Sequence, residues 1–268
     1  MKTVFSCGMG VQSTTILGLA CDGVIPKPDH IVFSDPGAES EATYRHAQWC
    51  MELADKHGMK VVMVSAGNIY EDALTFARRR ENAGIKRYAS IPLFVKKEGQ
   101  KEASALPRQC TSEYKLEPIE QYHRRVVLGL KPRQRAPKEI VVDVWIGISA
   151  NEERRATPPG VWRTHKVKVG DDLLGEPVFK DVKKWEPVIW QQKSFPLLGY
   201  SLTPERTRKL RPEFSEITGW DRDDCINWLK KRFPGIKVPR SACVFCPYRT
   251  NAEWLEMKTH EPAEFAKA

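Results

Sequence analysis

The chain has 268 residues, 41% hydrophobic and 29% charged, with a mean hydropathy of −0.48. Lys and Arg number 43 against 34 Asp and Glu, a formal net charge of +9 and a pI near 9.2. No apolar run approaches the ~18–20 residues of a membrane span, MKTVFSCGMG does not read as a signal peptide, and the seven cysteines point to thiols or a metal site. The expectation is a soluble cytoplasmic protein, outside the membrane and secreted classes, with a polyanionic partner or substrate.

Thr3-Val4-Phe5 predicts a first strand, followed by the turn Cys7-Gly8-Met9-Gly10 and a helix from Gln12 to Cys21. His30–Phe33 predicts a second strand, stopped by Asp35-Pro36-Gly37. A helix over Glu39–His57 should bury Ala42, His46, Trp49 and Leu53, which recur every three or four residues, and end at Gly58. Lys60–Val64 predicts a third strand and Ile69 to about Arg80 a further helix. That alternation predicts an α/β fold, a parallel sheet with flanking helices. Residues 81–107 read as loop, and Ser112 to about Leu128 as helix despite Pro118. Ile140–Ile148 reads as an interior strand and Lys166–Lys193 as a hairpin or insertion. Asp221 should cap a helix reaching Phe233, and Asn251 a last helix.

Basic residues cluster. Arg124, Arg125, Lys131, Arg133, Arg135 and Lys138 form a run without an acid. Arg78-Arg79-Arg80, Arg206 to Arg211 and Lys230-Lys231-Arg232 add further groups. Each alone reads as a solvated face; together they favour a nucleic-acid or nucleotide partner.

Two motifs carry chemistry. In Ser6-Cys7-Gly8-Met9-Gly10-Val11-Gln12-Ser13-Thr14 the glycines permit close backbone approach, and a helix start attracts phosphate. It contains neither a Walker lysine nor G-x-G-x-x-G, so an ordinary strand-to-helix turn competes with that reading. Cys243-x-x-Cys246 lets two thiolates reach one metal or cluster, and Cys110 supplies a third. A redox dithiol, half a zinc site and buried apolar cysteines are the alternatives. Cys7, Cys21, Cys50 and Cys225 lie among apolar positions and read as core.

The first motif resembles the PP-loop of the ATP pyrophosphatase superfamily, with Gln12 in its Asp position. Val11–Thr14 is similar to the branch holding PAPS reductases and DNA-phosphorothioation sulfur-transfer proteins. So are Phe33–Gly37, Trp145–Ser149 with Arg155 after it, Arg108–Lys115, and Cys243–Tyr248 followed by Glu253-Trp254. The resemblance implies a PP-loop α/β domain over 1–160 and a C-terminal segment over 161–268 carrying the insertion, helices and C-x-x-C, packed over the sheet's C-terminal edge. It implies ATP with Mg²⁺ at Ser6, Gly8, Gly10, Gln12, Ser13, Thr14 and Gly147, and Asp35 beside the adenosine. It implies a 4Fe–4S cluster on Cys110, Cys243 and Cys246, with Lys115 and Arg155 as cations that stabilise developing charge. Zinc is the alternative metal, with His123 as a candidate fourth ligand.

The activity so implied is adenylating sulfur transfer to a nucleic acid (tRNA or DNA) or nucleotide, from a donor protein or sulfide. One alternative is a PAPS reductase-like oxidoreductase acting on a sulfonucleotide, which would want a cysteine beyond Cys246. The other is a non-catalytic zinc-containing nucleic-acid-binding module. Assembly as a homodimer is left open.

Overall fold

The computed structural model describes residues 1–75, 94–96, 99, 102, 104–105, 110–171 and 176–268. The three apolar runs near the N-terminus become β1 (Lys2–Ser6), β2 (His30–Ser34) and β3 (Val61–Val64). Between them stand α1 (Val11–Cys21) and α2 (Glu41–Lys56), and residues 69–75 are the described part of α3. Short β4 (Phe94–Val95) and β5 (Ser104–Ala105) pair with each other. A helical segment follows, α-helical as α4 (Glu117–Tyr122) between π-helical turns at Ser112–Leu116 and His123–Val127. Pro118 is tolerated inside this segment because the carbonyl four residues before it, that of Tyr114, accepts instead from Ser34 Oγ at 2.8 Å.

The rest of the sheet is built from β6 (Val142–Ile146), β9 (Gln191–Phe195), β10 (Tyr200–Leu202) and β11 (Arg208–Leu210). β7 (Gly160–Asp171) and β8 (Pro177–Pro187) form a separate two-stranded ribbon. The seven-stranded sheet has the order β11-β10-β9-β6-β1-β2-β3. Strands β9, β6, β1, β2 and β3 are mutually parallel, and β10 and β11 add antiparallel pairs at one edge. The chain therefore shows a mixed α/β architecture with a mostly parallel sheet.

Both sheet faces are covered, which is why the central strands are apolar almost throughout. Phe5, Ile31, Phe33 and Trp145 pack in a core with α1, α2 and α5 (Arg222–Arg232). Val4, Val32, Val142 and Val144 face the other way, towards Tyr122, Val127 and Trp190. The one buried acid among them, Asp143, accepts from Trp145 Nε1 at 3.0 Å and Ser194 Oγ at 2.5 Å, and pairs with Arg211 at 2.6 Å. That ion pair fastens β6 to β9 and to the segment after β11.

Several expectations need correction. α2 begins after Ser40, whose hydroxyl accepts from Thr43 N, so Glu39 lies outside the helix. Its most buried line is Thr43, His46, Ala47, Cys50 and Ala54, which meets α1 where His46 bonds Thr14; Ala42, Trp49 and Leu53 are only partly covered. Thr250, not Asn251, caps α6 (Asn251–His260), since only that register puts Glu253 three residues on to complete a capping box. α6 is not the last helix, because α7 (Pro262–Lys267) follows. The ribbon starts at Gly160, earlier than Lys166; Leu197, Phe214, Ile217, Cys225 and Leu229 pack in one core with Phe5 and Ile16. Cys7, Cys21, Cys50 and Cys225 are buried as expected. Most of the 81–107 loop and the Arg78-Arg79-Arg80 cluster lie outside the described residues.

Helix α1 is buried along its whole length, between α2 and α5. Its contact with α5 is close enough that a Cβ on Gly18 would stand 2.6 Å from the Trp228 ring. Gly18→Ala should therefore lower stability by roughly 1–3 kcal/mol through overpacking, read as a lower midpoint in urea. An unchanged midpoint would mean that α5 can move off α1 without loss.

Candidate functional site

Strand order reverses at β1: β2 and β3 continue to one side, and β6 returns to the other. In open α/β sheets such a reversal opens a crevice beyond the carboxyl ends of the strands. The loop after β1 and the loop after β6 meet there. A Cβ on Gly147 would lie 3.2 Å from Ser13 N and 3.3 Å from Gln12 Cβ, so only glycine fits without displacing the start of α1. Gln12 Nε2 donates to Ser149 Oγ at 3.2 Å and Glu152 Oε2 at 3.1 Å, and Arg222 donates to Gln12 Oε1 at 3.3 Å. Glu152 in turn pairs with Arg155 at 2.6 Å, which links that arginine to the helix start.

Gly8 and Gly10 differ from Gly147. Neither has a positive φ, and a Cβ on either would meet nothing within 4 Å. The space above the turn is open. Met9, between them, takes φ +55 with its side chain fully buried, which bends the backbone sharply after Ser6. The first N–H groups of α1 have no carbonyl within the helix to bond, so they are the donors this turn can offer an anion.

The hydroxyls are differently engaged from expectation. Ser13 Oγ folds back onto Gly10, 3.0 Å from both its N and its O. Thr14 is fully buried and bonds His46 Nε2 at 2.9 Å. Asp35 Oδ1 accepts from Gly37 N and Tyr44 OH, each at 2.8 Å, and so shapes its own turn.

The three sequence-selected cysteines come together at the same sheet edge. Cys110, Cys243 and Cys246 line one cavity of about 120 Å³ with Pro36, Tyr114 and Lys115. The Cys243 loop is zipped onto the loop after β2: Glu39 and Cys243 form an antiparallel bridge, and Val244 N donates to Ala38 O at 2.9 Å. A tight turn, Cys246 N to Cys243 O at 3.0 Å, closes the C-x-x-C. Cys110 is held from the other side. Its segment enters the wide turn Ser112–Leu116, whose Tyr114 carbonyl accepts from Ser34 Oγ at 2.8 Å. Lys115 reaches across to Glu39 Oε1 at 2.8 Å.

Burial, with the Glu39 carboxylate as second cause, pushes the Cys243 thiol up to about 12. A thiolate at that position therefore needs bound positive charge beyond Lys115. Glu39 is itself buried, and its Oε2 has no hydrogen-bond partner among the described residues. Among the described residues no three His, Cys, Asp or Glu side chains are gathered as a single-ion metal site. His123 does not line the cavity; it is buried beside Trp190, 6.3 Å between ring centroids, further along the helical segment that starts at the cavity. Arg108 lies outside the described residues. Glu39, Arg222 and the π-helical turn carried no chemical signal in the sequence, since each acquires its place only through a distant partner.

A comparison with protein-family models gave no match, and a comparison with curated protein sequences gave none either.

His46 links this edge to stability. Burial holds its imidazole at about 4 instead of 6.5, so the unfolded chain takes up the proton first as pH falls. Stability should therefore decline as pH drops from about 6.5 to about 4, a decline to which His123, likewise held at about 4 by burial, also contributes. His46→Gln should make it shallower without abolishing it, while keeping a bond to Thr14. Identical pH slopes for the two proteins in urea titrations would show that His46 is not among the groups responsible.

Proposed function

We propose that this protein is a PP-loop ATP pyrophosphatase-like sulfurtransferase acting on nucleic acid, with an iron–sulfur group on Cys110, Cys243 and Cys246. The observation that carries the reading is the meeting of Cys110 with the distant Cys243–Cys246 turn in one cavity, on the edge where the open Gly8–Gly10 turn starts α1. Three thiols suit an iron–sulfur group in kind, and a cavity of about 120 Å³ exceeds the ~30 Å³ share of one water.

Phosphates of ATP, bound with Mg²⁺ as substrate, would sit on the free N–H groups of Val11, Gln12 and Ser13, aided by the dipole of α1. Gly8 and Gly10 leave the approach clear. Ser6 ends β1 beneath the turn, and Gly147 lets the neighbouring loop close on it. Gln12 holds Glu152 and, through it, Arg155 within reach of the crevice. Lys115 places a second cation at the cysteine cavity. Preorganised donors and cations of this kind stabilise charge that develops on phosphate oxygens.

In the reaction an acceptor oxygen attacks the α-phosphorus, the bond to the β-phosphate oxygen breaks, and pyrophosphate leaves. A sulfur donor at the hydrosulfide level then displaces AMP together with the former acceptor oxygen. No net oxidation or reduction occurs. When bound, the iron–sulfur group supplies an open iron on which sulfur is held.

Anaerobic purification with iron and sulfide analysis tests the ligand set. Cys110→Ala, Cys243→Ala and Cys246→Ala should each lose the brown absorbance and product formation, yet retain ATP binding. Gly10→Val with Ser13→Ala should do the reverse, losing ATP binding and AMP release while keeping iron, because Val enters open space and leaves the fold intact. A colourless, zinc-loaded protein that releases no AMP would replace this reading with the non-catalytic module. Full iron in Cys110→Ala with loss in Cys7→Ala would move the ligand to the loop.

A further inference from the structure

The β7–β8 ribbon takes no part in the site. It is 12 residues against 11, paired from Gly160↔Pro187 to Asp171↔Pro177, and among the described residues it joins no other strand. At ~3.3 Å per residue it extends roughly 35–40 Å. A two-stranded ribbon with both faces in water is marginally stable by itself. Its root is fixed: the Trp185 ring lies so close over Gly160 that no Cβ fits there, and Arg206 stands 5.0 Å from the same ring. Opposite Trp185 at the root Trp162 is 70% exposed, and further out Phe179 is 54% exposed.

Over residues 160–187 six Lys and Arg stand against five Asp and Glu, and Lys180, Lys183 and Lys184 are exposed close together on β8. Arg163 stands directly opposite Lys184, a like-charge cross-strand pair that the Glu186 carboxylate beside Arg163 partly offsets. Arg163, Lys180 and Lys184 share one face; Trp162, Phe179 and Lys183 share the other. Glu186 is engaged by Arg163 at 2.8 Å, and Asp181 faces Lys166 across the ladder. Val188 and Trp190, just past the ribbon, pack in one cluster with Val127, Leu128 and Ala136. The root of the ribbon and the exposed residues Arg133 and Arg135 therefore belong to one side of the molecule.

We propose that the β7–β8 ribbon is an arm that lies in the major groove of duplex DNA, with the 131–138 loop on the adjoining backbone. It rests on the nucleic-acid part of the proposed function and assigns the element and groove. Two strands ~4.8 Å apart fit a groove ≈12 Å wide, whereas the major groove of A-form RNA is too narrow for side chains to enter. Pairing with a second copy of the ribbon would set lysine rows against each other.

Fluorescence anisotropy with a labelled DNA duplex, the matching RNA duplex and a single strand tests this across a salt series. Wild type should prefer the DNA duplex. Lys180→Gln/Lys183→Gln/Lys184→Gln should weaken that binding about tenfold or more, and flatten the salt dependence by about one unit per lost phosphate contact. Arg133→Gln/Arg135→Gln should flatten it further, and Trp162→Ala should weaken binding with the slope kept. These side chains are exposed, so melting temperature should stay unchanged and ATP binding should persist. An unaltered affinity and slope in the triple variant would overturn the arm while leaving the proposed function standing. A preference for RNA or single strands would overturn the groove assignment. Loss of self-association instead of DNA binding would make the ribbon a dimer contact, and no binding by wild type to any of the three would sink the nucleic-acid acceptor as well.

Discussion

Parallel pairing on both sides of β1 is the constraint from which the rest follows. With β2 paired along Val4–Ser6 on one side and β6 along Lys2–Ser6 on the other, β1 is an interior strand that ends in a turn at the sheet edge. The buried start of α1 then leaves no room for a gradual turn. Met9 takes the left-handed conformation, Gly147 yields its side chain, and Gln12 ties the two loops together. The crevice at this edge is thus a consequence of strand order, and its open space lies over Gly8 and Gly10.

The same edge recruits the C-terminal part of the chain. The loop after β2 is stiffened by Asp35, Gly37 and Tyr44, and offers a strand-like edge at Ala38 and Glu39. The Cys243 loop docks on that edge by backbone hydrogen bonds, which are indifferent to side-chain identity and so leave the sulfurs available. Ser34 performs the corresponding task for the Cys110 segment by binding the Tyr114 carbonyl. Two chain ends of the cavity are therefore positioned by one strand, β2, from its last residue and its following loop. Lys115 and Glu39 then set its electrostatics, one cation against one buried carboxylate, with Cys243 held as a thiol until positive charge arrives.

How legible this was depended on the range of each interaction. The strands β1, β2, β3 and β6, the helices after them and the Asp221 cap follow from short-range signals: apolar runs, glycine stops and a side-chain oxygen two or three residues from the N–H it accepts. The four core cysteines were readable for the same reason, as each sits among apolar neighbours in sequence. The glycine turn and the C-x-x-C were readable as chemistry but not as a place. Nothing near Cys110 in the chain encodes the Glu39–Cys243 bridge, and nothing near Thr14 encodes its bond to His46 on a helix 32 residues away.

By itself, then, the amino-acid order determined the α/β alternation, the identity of the apolar core and the residue types suited to phosphate and to iron or zinc. Only the tertiary structure decided that the strands reverse order at β1, that three cysteines share a cavity, and that Ser13 and Thr14 turn their hydroxyls inward. It also decided that residues after 160 complete the first half's sheet and project a free ribbon. The physical reason is that local pattern sets which face of an element is apolar. Which neighbour covers that face, and which polar group is left over at its end, is settled by packing among segments far apart in the chain.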